Sequence, residues 1–219
     1  SRQAVLSAHL ALLGVALIYG ASFLIAKNAM QAAVPPRAFI QFRVTGAALL
    51  FWTLLPWSGS TRIHHLPKTD IFRLILCAAF GVTTNQLFFF EGLAITTPVN
   101  ASIMMVSGPI AVLVVGAVLV KERITPPKVV GIALGALGAL WLILSGANWQ
   151  ISSLFQSDVA KGNLFVLVNA TSFAVYLVIV KPLMSKYNAL FVIRWVFTFG
   201  IFLVLPFGGP QIPGIPWEL

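Results

Sequence analysis

The chain has 219 residues, of which 59% are hydrophobic and 9% are charged, and its formal net charge is +9. A soluble domain normally has about a quarter of its residues charged, so this composition cannot cover a water-facing surface. The positive charges lie in short clusters between apolar stretches, which argues against nucleic-acid binding. The single cysteine, Cys77, excludes an internal disulfide framework and a metal site built from several cysteines.

Seven apolar segments are each long enough to cross a hydrocarbon core, which takes about 20 residues of helix. Prolines and acidic residues stand at several of their starts, where a proline loses no hydrogen bond and a carboxylate favours the helix dipole. The sequence therefore predicts an all-α membrane protein, a polytopic helical bundle. In chain order, the predicted helices cover residues 8–30, 36–55, 70–95, 99–120, 126–145, 160–184 and 189–205.

The basic residues between these segments predict the orientation. They are more numerous on one side of the predicted membrane, and the positive-inside rule places that side in the cytoplasm together with the N-terminus. We expect the location to be a cell membrane, the inner membrane of a bacterium. The cytoplasmic set is Arg2, Arg62, Lys68, Arg73, Lys121, Arg123, Lys128, Lys181 and Lys186, and the outer set is Lys27, Arg37 and Lys161.

A weak internal repeat links the first two predicted helices to the sixth and seventh. Because five helices separate the copies, the second copy enters the membrane from the opposite side, which defines an inverted-topology repeat. The first repeat would cover residues 1–146, and the start of the second would cover 147–219. Chance similarity between apolar helices is the alternative. The aligned residues are Ser22, Lys27 and Met30 with Tyr176, Lys181 and Met184, and Ala38 and Arg43 with Ala189 and Arg194.

Several short motifs occur in a fixed order along the chain. They are Ile18-Tyr19-Gly20-Ala21-Ser22-Phe23 with Lys27, the run from Phe89-Phe90-Glu91-Gly92 through Thr97-Pro98-Val99-Asn100-Ala101-Ser102, Gly108-Pro109-Ile110 and Lys121-Glu122-Arg123. Together these motifs resemble the drug/metabolite transporter superfamily, in its EamA-like branch. The resemblance implies ten helices in two inverted five-helix repeats, of which seven would be present here. It also implies secondary transport of amino acids, metabolites or drugs without ATP.

Polar side chains near the middle of the predicted helices are candidates for a substrate pocket. Such residues are costly in lipid unless they face a cavity or a partner, and carriers with inverted repeats bind substrate at the midplane. Hydrogen bonding between helices is the alternative. Pro109 interrupts the fourth helix and predicts a hinge, with a simple kink as the alternative. The predicted substrate-binding residues are Tyr19, Ser22, Asn85, Gln86, Ser107, Asn169, Ser172 and Tyr176.

Ionisable residues on three helices lie at a similar depth near the outer surface. We hypothesise that Glu91 pairs with Arg43 or Lys27 and shapes an outer gate, although Lys27 alone would also be explained by snorkelling to the headgroups. Arg194 is the counterpart of Arg43 near the inner surface. Its expected carboxylate partner lies in an eighth helix outside this chain.

The predicted function is secondary transport of a small organic solute by alternating access, with export favoured over import by the resemblance. Protons are the expected coupling ion through Glu91, a homodimer is the expected assembly, and no cofactor or metal is expected. A non-transporting membrane scaffold or sensor is one alternative. A membrane-embedded enzyme subunit is another, but no nucleophile–base pair or paired carboxylates support it.

Overall fold

The computed structural model describes residues 2–31, 34–54, 63, 66–105, 107–120, 125–146 and 157–215. Within this part of the chain the regular structure is entirely helical, which confirms the predicted all-α class. The helices are α1 (Arg2–Gln31), α2 (Pro36–Thr53), α3 (Lys68–Ala78), α4 (Asn85–Ile95), α5 (Pro98–Met105), α6 (Gly108–Val120), α7 (Pro126–Gly146), α8 (Asp158–Lys186) and α9 (Ala189–Gly208).

One feature of this order was not predicted, whereas the division of the fourth helix agrees with the interruption expected at Pro109. A π-helical turn, Ala79–Thr84, joins α3 to α4, so that Lys68–Ile95 is one continuous helix of 28 residues. The predicted fourth helix is divided into α5 and α6 near Ser107, because Gly108 and Pro109 begin a new helix there. Local caps explain other starts: Asn188 accepts a hydrogen bond from the Leu190 amide at 2.8 Å and begins α9.

Four helical segments among the described residues are long and apolar enough to cross a membrane. Together with the composition, they make this a multi-pass membrane protein. The segments are Leu12–Met30, Lys68–Ile95, Asp158–Lys186 and Ala189–Gly214.

The core lies where α8 packs on α4 and α6, and where α9 packs on α2 and α3. Its fully buried side chains include Ile40, Phe90, Val166, Leu183 and Phe191. By contrast, α1 and α7 expose rows of leucines. Lipid tails can cover such rows at little cost, since they are as apolar as leucine.

Contacts at the helix ends fix the relative directions. Thr96 at the end of α4 hydrogen-bonds to Asn163 near the start of α8 (2.8 Å), while Asp70 near the start of α3 contacts Lys186 at the end of α8. The helix α8 is therefore antiparallel to α3–α4. A Cβ atom on Gly208 would lie 2.6 Å from the Arg37 carbonyl oxygen, so the end of α9 meets the start of α2.

Candidate functional site

A cavity of about 170 Å³ lies between α1, α2, α4, α5 and α8. It brings together four of the predicted substrate-binding residues, namely Ser22, Asn85, Gln86 and Asn169. Sequence reasoning placed these residues at one depth and expected aromatic contacts, of which Phe173 lines the cavity. The other apolar walls depend on how the helices are rotated. The full lining consists of Ile18, Ser22, Arg43, Asn85, Gln86, Phe89, Phe90, Met105, Asn169 and Phe173.

Two asparagines of the cavity also hold α4 against α8. The Asn169 Nδ2 atom donates to the Asn85 carbonyl oxygen at 2.8 Å, and the Asn85 Nδ2 atom donates to the Asn169 carbonyl oxygen at 3.4 Å. Both predicted readings, pocket lining and helix pairing, therefore describe these residues. The buried Asn169 Oδ1 and Gln86 Oε1 atoms have no hydrogen-bond partner among the described residues.

Arg43 lines this cavity, and its guanidinium lies close to aromatic rings. Its guanidinium carbon lies 4.8 Å from the centre of the Phe90 ring and 5.8 Å from that of Phe39. A cation over aromatic rings is stabilised by their negative faces. Arg43 thus contacts one ring of its own helix and one ring of α4.

The other predicted substrate-binding residues lie elsewhere. Ser172 Oγ donates to the Phe80 carbonyl oxygen of the π-helical turn at 2.6 Å, and the Tyr176 ring packs against Gly81, where an added Cβ would lie 2.5 Å away. Ser107 lines a separate, apolar cavity of about 380 Å³ between α6, α7 and α8. The side chain of Tyr19 lies outside the described residues.

Pro109, the predicted hinge, is an exposed residue in the first turn of α6. A proline there loses no helical hydrogen bond. Its role as a hinge stays a prediction.

Near the end of α4, Glu91 forms a salt bridge with Arg37, a partner that the sequence analysis did not name. Its pairing with Arg43 or Lys27 stays a prediction. Arg37 is in the first turn of α2, at the same level as the end of α4, and a side chain of this length reaches Glu91. The pair borders an aromatic cleft of about 290 Å³ formed with Phe88, Phe165 and Phe207.

Lys27 closes the end of α4. Its Nζ atom donates to the carbonyl oxygens of Leu93 (2.7 Å), Ala94 (2.7 Å) and Thr96 (3.0 Å). The last carbonyls of a helix lack intrahelical partners and carry partial negative charge, which a cation stabilises. Lys27 thus ties α1 to α4, a role that neither predicted pairing nor snorkelling describes.

A second ionic cluster, which the sequence analysis missed, lies at the opposite end of the same long helix. The Asp70 carboxylate is only 1% exposed and accepts hydrogen bonds from Tyr187 Oη (2.7 Å) and Lys186 Nζ (3.2 Å). The bond to Asp70 raises the pKa of the Tyr187 hydroxyl. In the sequence, Asp70 indicated only a helix start, and the signal that it does more is the scarcity of acids in this chain.

Arg194 is buried, with 3% of its surface exposed, and its guanidinium carbon lies 4.8 Å from the Trp52 ring centre and 5.5 Å from that of Phe191. Like Arg43, it contacts an aromatic ring one turn earlier in its own helix and a ring of another helix. The carboxylate partner expected for Arg194 stays a prediction.

Comparison with known proteins identifies the family. The model of the EamA-like transporter family matches residues 6–144. The chain belongs to this family. The EamA-like chain spans about half to two-thirds of the length of the first curated relatives that it matches. No solved structure matches it.

Several relatives of this EamA-like chain are named as transporters. An uncharacterised transporter of Archaeoglobus fulgidus is 28% identical over 91% of this chain and 66% of its own length. An uncharacterised transporter of Bacillus subtilis is 25% identical, covering 78% of this chain and 54% of the relative. A Chlamydia trachomatis protein named as an S-adenosylmethionine/S-adenosylhomocysteine transporter is 27% identical, covering 63% and 41%. Family and relatives therefore point to a transporter and away from an enzyme.

Proposed function

We propose that the protein carrying this chain is a secondary transporter that moves a small organic solute across the membrane by alternating access around the cavity at Asn85, Gln86 and Asn169. The observation that carries this proposal is a three-layer arrangement along one helix, Lys68–Ile95. The Asp70 cluster is near its start, the cavity residues are in its middle, and the Glu91–Arg37 pair is near its end.

The spacing of the layers suits two gates with a binding site between them. At 1.5 Å per residue, Asp70 is about 22 Å along the helix from Asn85, and Glu91 is about 9 Å beyond Asn85. Each ionic layer joins this helix to different elements: the outer one to α2, and the inner one to the corner between α8 and α9. Breaking one layer while the other is formed would expose the cavity to one side at a time.

The matching environments of Arg43 and Arg194 support the inverted repeat. Each guanidinium lies over one ring of its own helix and one ring of a neighbouring helix. The α2 and α9 helices that carry these arginines pack directly on each other. We therefore propose that a second five-helix half begins within 147–219 and is related to 1–146 by inverted topology.

We infer the orientation of the bundle in the membrane from the positions of the two ionic layers. Lys68, Arg73 and Lys186 are at the Asp70 end of the bundle, which we assign to the cytoplasm by the positive-inside rule. This assignment places the N-terminus inside and Glu91 outside, in the inner membrane of a bacterium. Protons are the proposed coupling ion, acting at the Glu91–Arg37 pair.

Transport by the complete gene product in liposomes tests this proposal. We would measure uptake from a radiolabelled panel of the common amino acids, S-adenosylmethionine (which a relative's name suggests) and ethidium. We expect saturable uptake of at least one solute, inhibited by the same solute unlabelled.

The outer gate is tested with the solute so found. Arg37→Glu and Glu91→Arg each bring two like charges together, and each should reduce uptake by at least about tenfold, since like charges at close range repel strongly. The double variant restores an opposite pair and should recover most of the uptake. Failure of every solute to show saturable flux would favour the scaffold or sensor alternative. Uptake by the double variant no higher than that of the single variants would contradict the role of the Arg37–Glu91 pair as a gate.

A further inference from the structure

We propose that Ser172 is a positioning residue for the solute site. Together with Asn169 it holds the turn Ala79–Thr84 in its π-helical form, and this form rotates Asn85 and Gln86 into the cavity. The inference rests on the proposed function and assigns a role in it to a residue outside the cavity lining. Relaxation of the turn to an α-helix would turn both amide side chains away from the solute.

Two side chains on one face of α8 bind carbonyl groups of the opposing helix. Asn169 and Ser172 are three residues apart, so they are neighbours on the surface of α8. The Asn169 Nδ2 atom donates to the Asn85 carbonyl oxygen at 2.8 Å, and Ser172 Oγ donates to the Phe80 carbonyl oxygen at 2.6 Å. Both side chains are buried, so water does not compete for these bonds.

A π-helical turn brings these two carbonyl groups to the same face of the helix. Phe80 and Asn85 are five residues apart, and residues at this interval in an α-helix point about 140° apart around the axis. In a π-helix the hydrogen bonds join residues i and i+5, so residues five apart lie nearly above one another. The helix α8 therefore binds the π form and would lose one of the two bonds if the turn became α-helical.

The turn also rotates the second part of the long helix relative to the first. One extra residue in a turn shifts everything after it by about 100°, which is the rotation per residue of an α-helix. The Phe72 side chain is 60% exposed, whereas Phe90, about five α-helical turns later, is 1% exposed. Cys77 is fully buried, whereas Ile95, at the same interval, is 37% exposed. The buried faces of the two parts are therefore rotated relative to each other.

This rotation decides what the helix presents to the cavity. The Asp70 cluster precedes the turn, while the cavity residues of the helix follow it. The π form is therefore what aims the Gln86 amide at the solute. The residues that the helix contributes to the cavity are Asn85, Gln86, Phe89 and Phe90.

Gly81 and Tyr176 add a third contact between the turn and the same face of α8. A Cβ atom on Gly81 would lie 2.5 Å from the Tyr176 ring, so the ring fits against the turn only because this residue is glycine. Tyr176 is about one helical turn beyond Ser172. Successive turns of α8 thus contact Asn85, Phe80 and Gly81.

Thiol labelling of the purified, complete gene product tests the inference without any solute. Gln86→Cys places a thiol in the cavity lining, and the native Cys77, which is buried, is the internal control. The probe is a water-soluble methanethiosulfonate reagent, and peptide mass spectrometry measures labelling at each position. We expect Ser172→Ala to slow labelling at position 86 by about fivefold, the usual effect of losing one hydrogen bond, and to leave Cys77 unlabelled.

Matched variants separate the form of the turn from a general loosening of the bundle. Thr171→Ala removes a hydroxyl that donates to a carbonyl of its own helix at 3.0 Å, on the exposed side of α8, and should leave labelling at both positions unchanged. Ser172→Thr keeps the donor and should retain fast labelling at position 86. Gly81→Ala displaces the Tyr176 ring and should slow labelling as Ser172→Ala does.

Uptake of the solute identified in liposomes gives a second measurement. Ser172→Ala should raise the KM of uptake by about fivefold and leave the maximal rate nearly unchanged, because both ionic layers stay intact. Equal labelling rates at position 86 with and without Ser172→Ala, faster labelling at both position 86 and Cys77, or an unchanged KM would overturn the inference. Absence of saturable uptake for every solute would refute the proposed function, while the labelling rates would still decide the role of Ser172.

Discussion

At the scale of single residues, the charged side chains of this protein act through backbone groups and rings as much as through opposite charges. Lys27 donates to three carbonyl oxygens, and Arg43 and Arg194 lie over aromatic rings. The chain has only 5 acidic residues for 14 lysines and arginines, so the cations far outnumber the carboxylates. Helix ends and aromatic faces are the remaining sources of negative potential in an apolar bundle.

Lys27→Met tests whether the Lys27 ammonium group stabilises the C-terminal end of α4. Methionine keeps most of the apolar stem but donates no hydrogen bond, so the carbonyls of Leu93, Ala94 and Thr96 lose this partner. We expect a lower melting temperature in detergent, equivalent to about 1–3 kcal/mol. Lys181→Met, on the exposed face of α8, is the control. Equal melting temperatures for the two variants would show that the three bonds contribute nothing to stability.

At the scale of helices, hydropathy predicted positions well and local geometry poorly. The predicted ranges 70–95 and 126–145 correspond to Lys68–Ile95 and Pro126–Gly146. The agreement is close because the length of an apolar helix depends on the residues of that helix alone. The π-helical turn was missed because it depends on contacts with the neighbouring helix α8. The Ser172 hydroxyl binds the Phe80 carbonyl, and the Tyr176 ring fills the space beside Gly81. Such turns often occur at functional sites.

Close crossing of α4 and α8 is a second feature of this scale that the sequence did not indicate. A Cβ atom on Gly92 would lie 2.8 Å from the Gly162 carbonyl oxygen, and one on Gly162 would lie 2.9 Å from the Gly92 carbonyl oxygen. Among the glycines of α7, Gly135 meets the Ile110 side chain of α6, whereas Gly131 and Gly138 have no described atom within 4 Å of an added Cβ. Glycine spacing alone does not tell which face meets a neighbour.

Gly92→Ala is therefore expected to destabilise the bundle by about 1–3 kcal/mol, because a backbone atom of α8 must move to admit the methyl group. Gly131→Ala should be neutral or slightly stabilising, since alanine favours the helix and meets no described atom there. Melting temperatures of the two purified variants make the comparison. A larger loss in Gly131→Ala than in Gly92→Ala would contradict the crossing.

At the scale of the whole molecule, the sequence predicted convergence of polar residues but not their partners. Asn85, Gln86 and Asn169 share a depth that can be counted along each helix, and they meet in one cavity. Glu91 also shares a depth with several cations, but its salt bridge is with Arg37. This pairing depends on the lengths of the side chains and on how the helices are rotated. The position of a residue along its helix can be counted from the sequence, whereas its partner also depends on how the helices are arranged side by side.

The orientation of the bundle predicts which helix ends are accessible from each side of the membrane. Because α8 runs antiparallel to α3–α4, Thr97 and Asp158 share one end of the bundle, while Lys68 and Ser185 share the other. All four side chains are exposed, and the native Cys77 is buried. In a Cys77→Ala background, Thr97→Cys and Asp158→Cys should react with a membrane-impermeant maleimide on intact cells. Lys68→Cys and Ser185→Cys should react only after permeabilisation, because the positive-inside rule assigns their end to the cytoplasm. The reverse pattern would invert the assignment of the two gates while leaving the cavity in place, and mixed labelling at either end would contradict the antiparallel crossing itself.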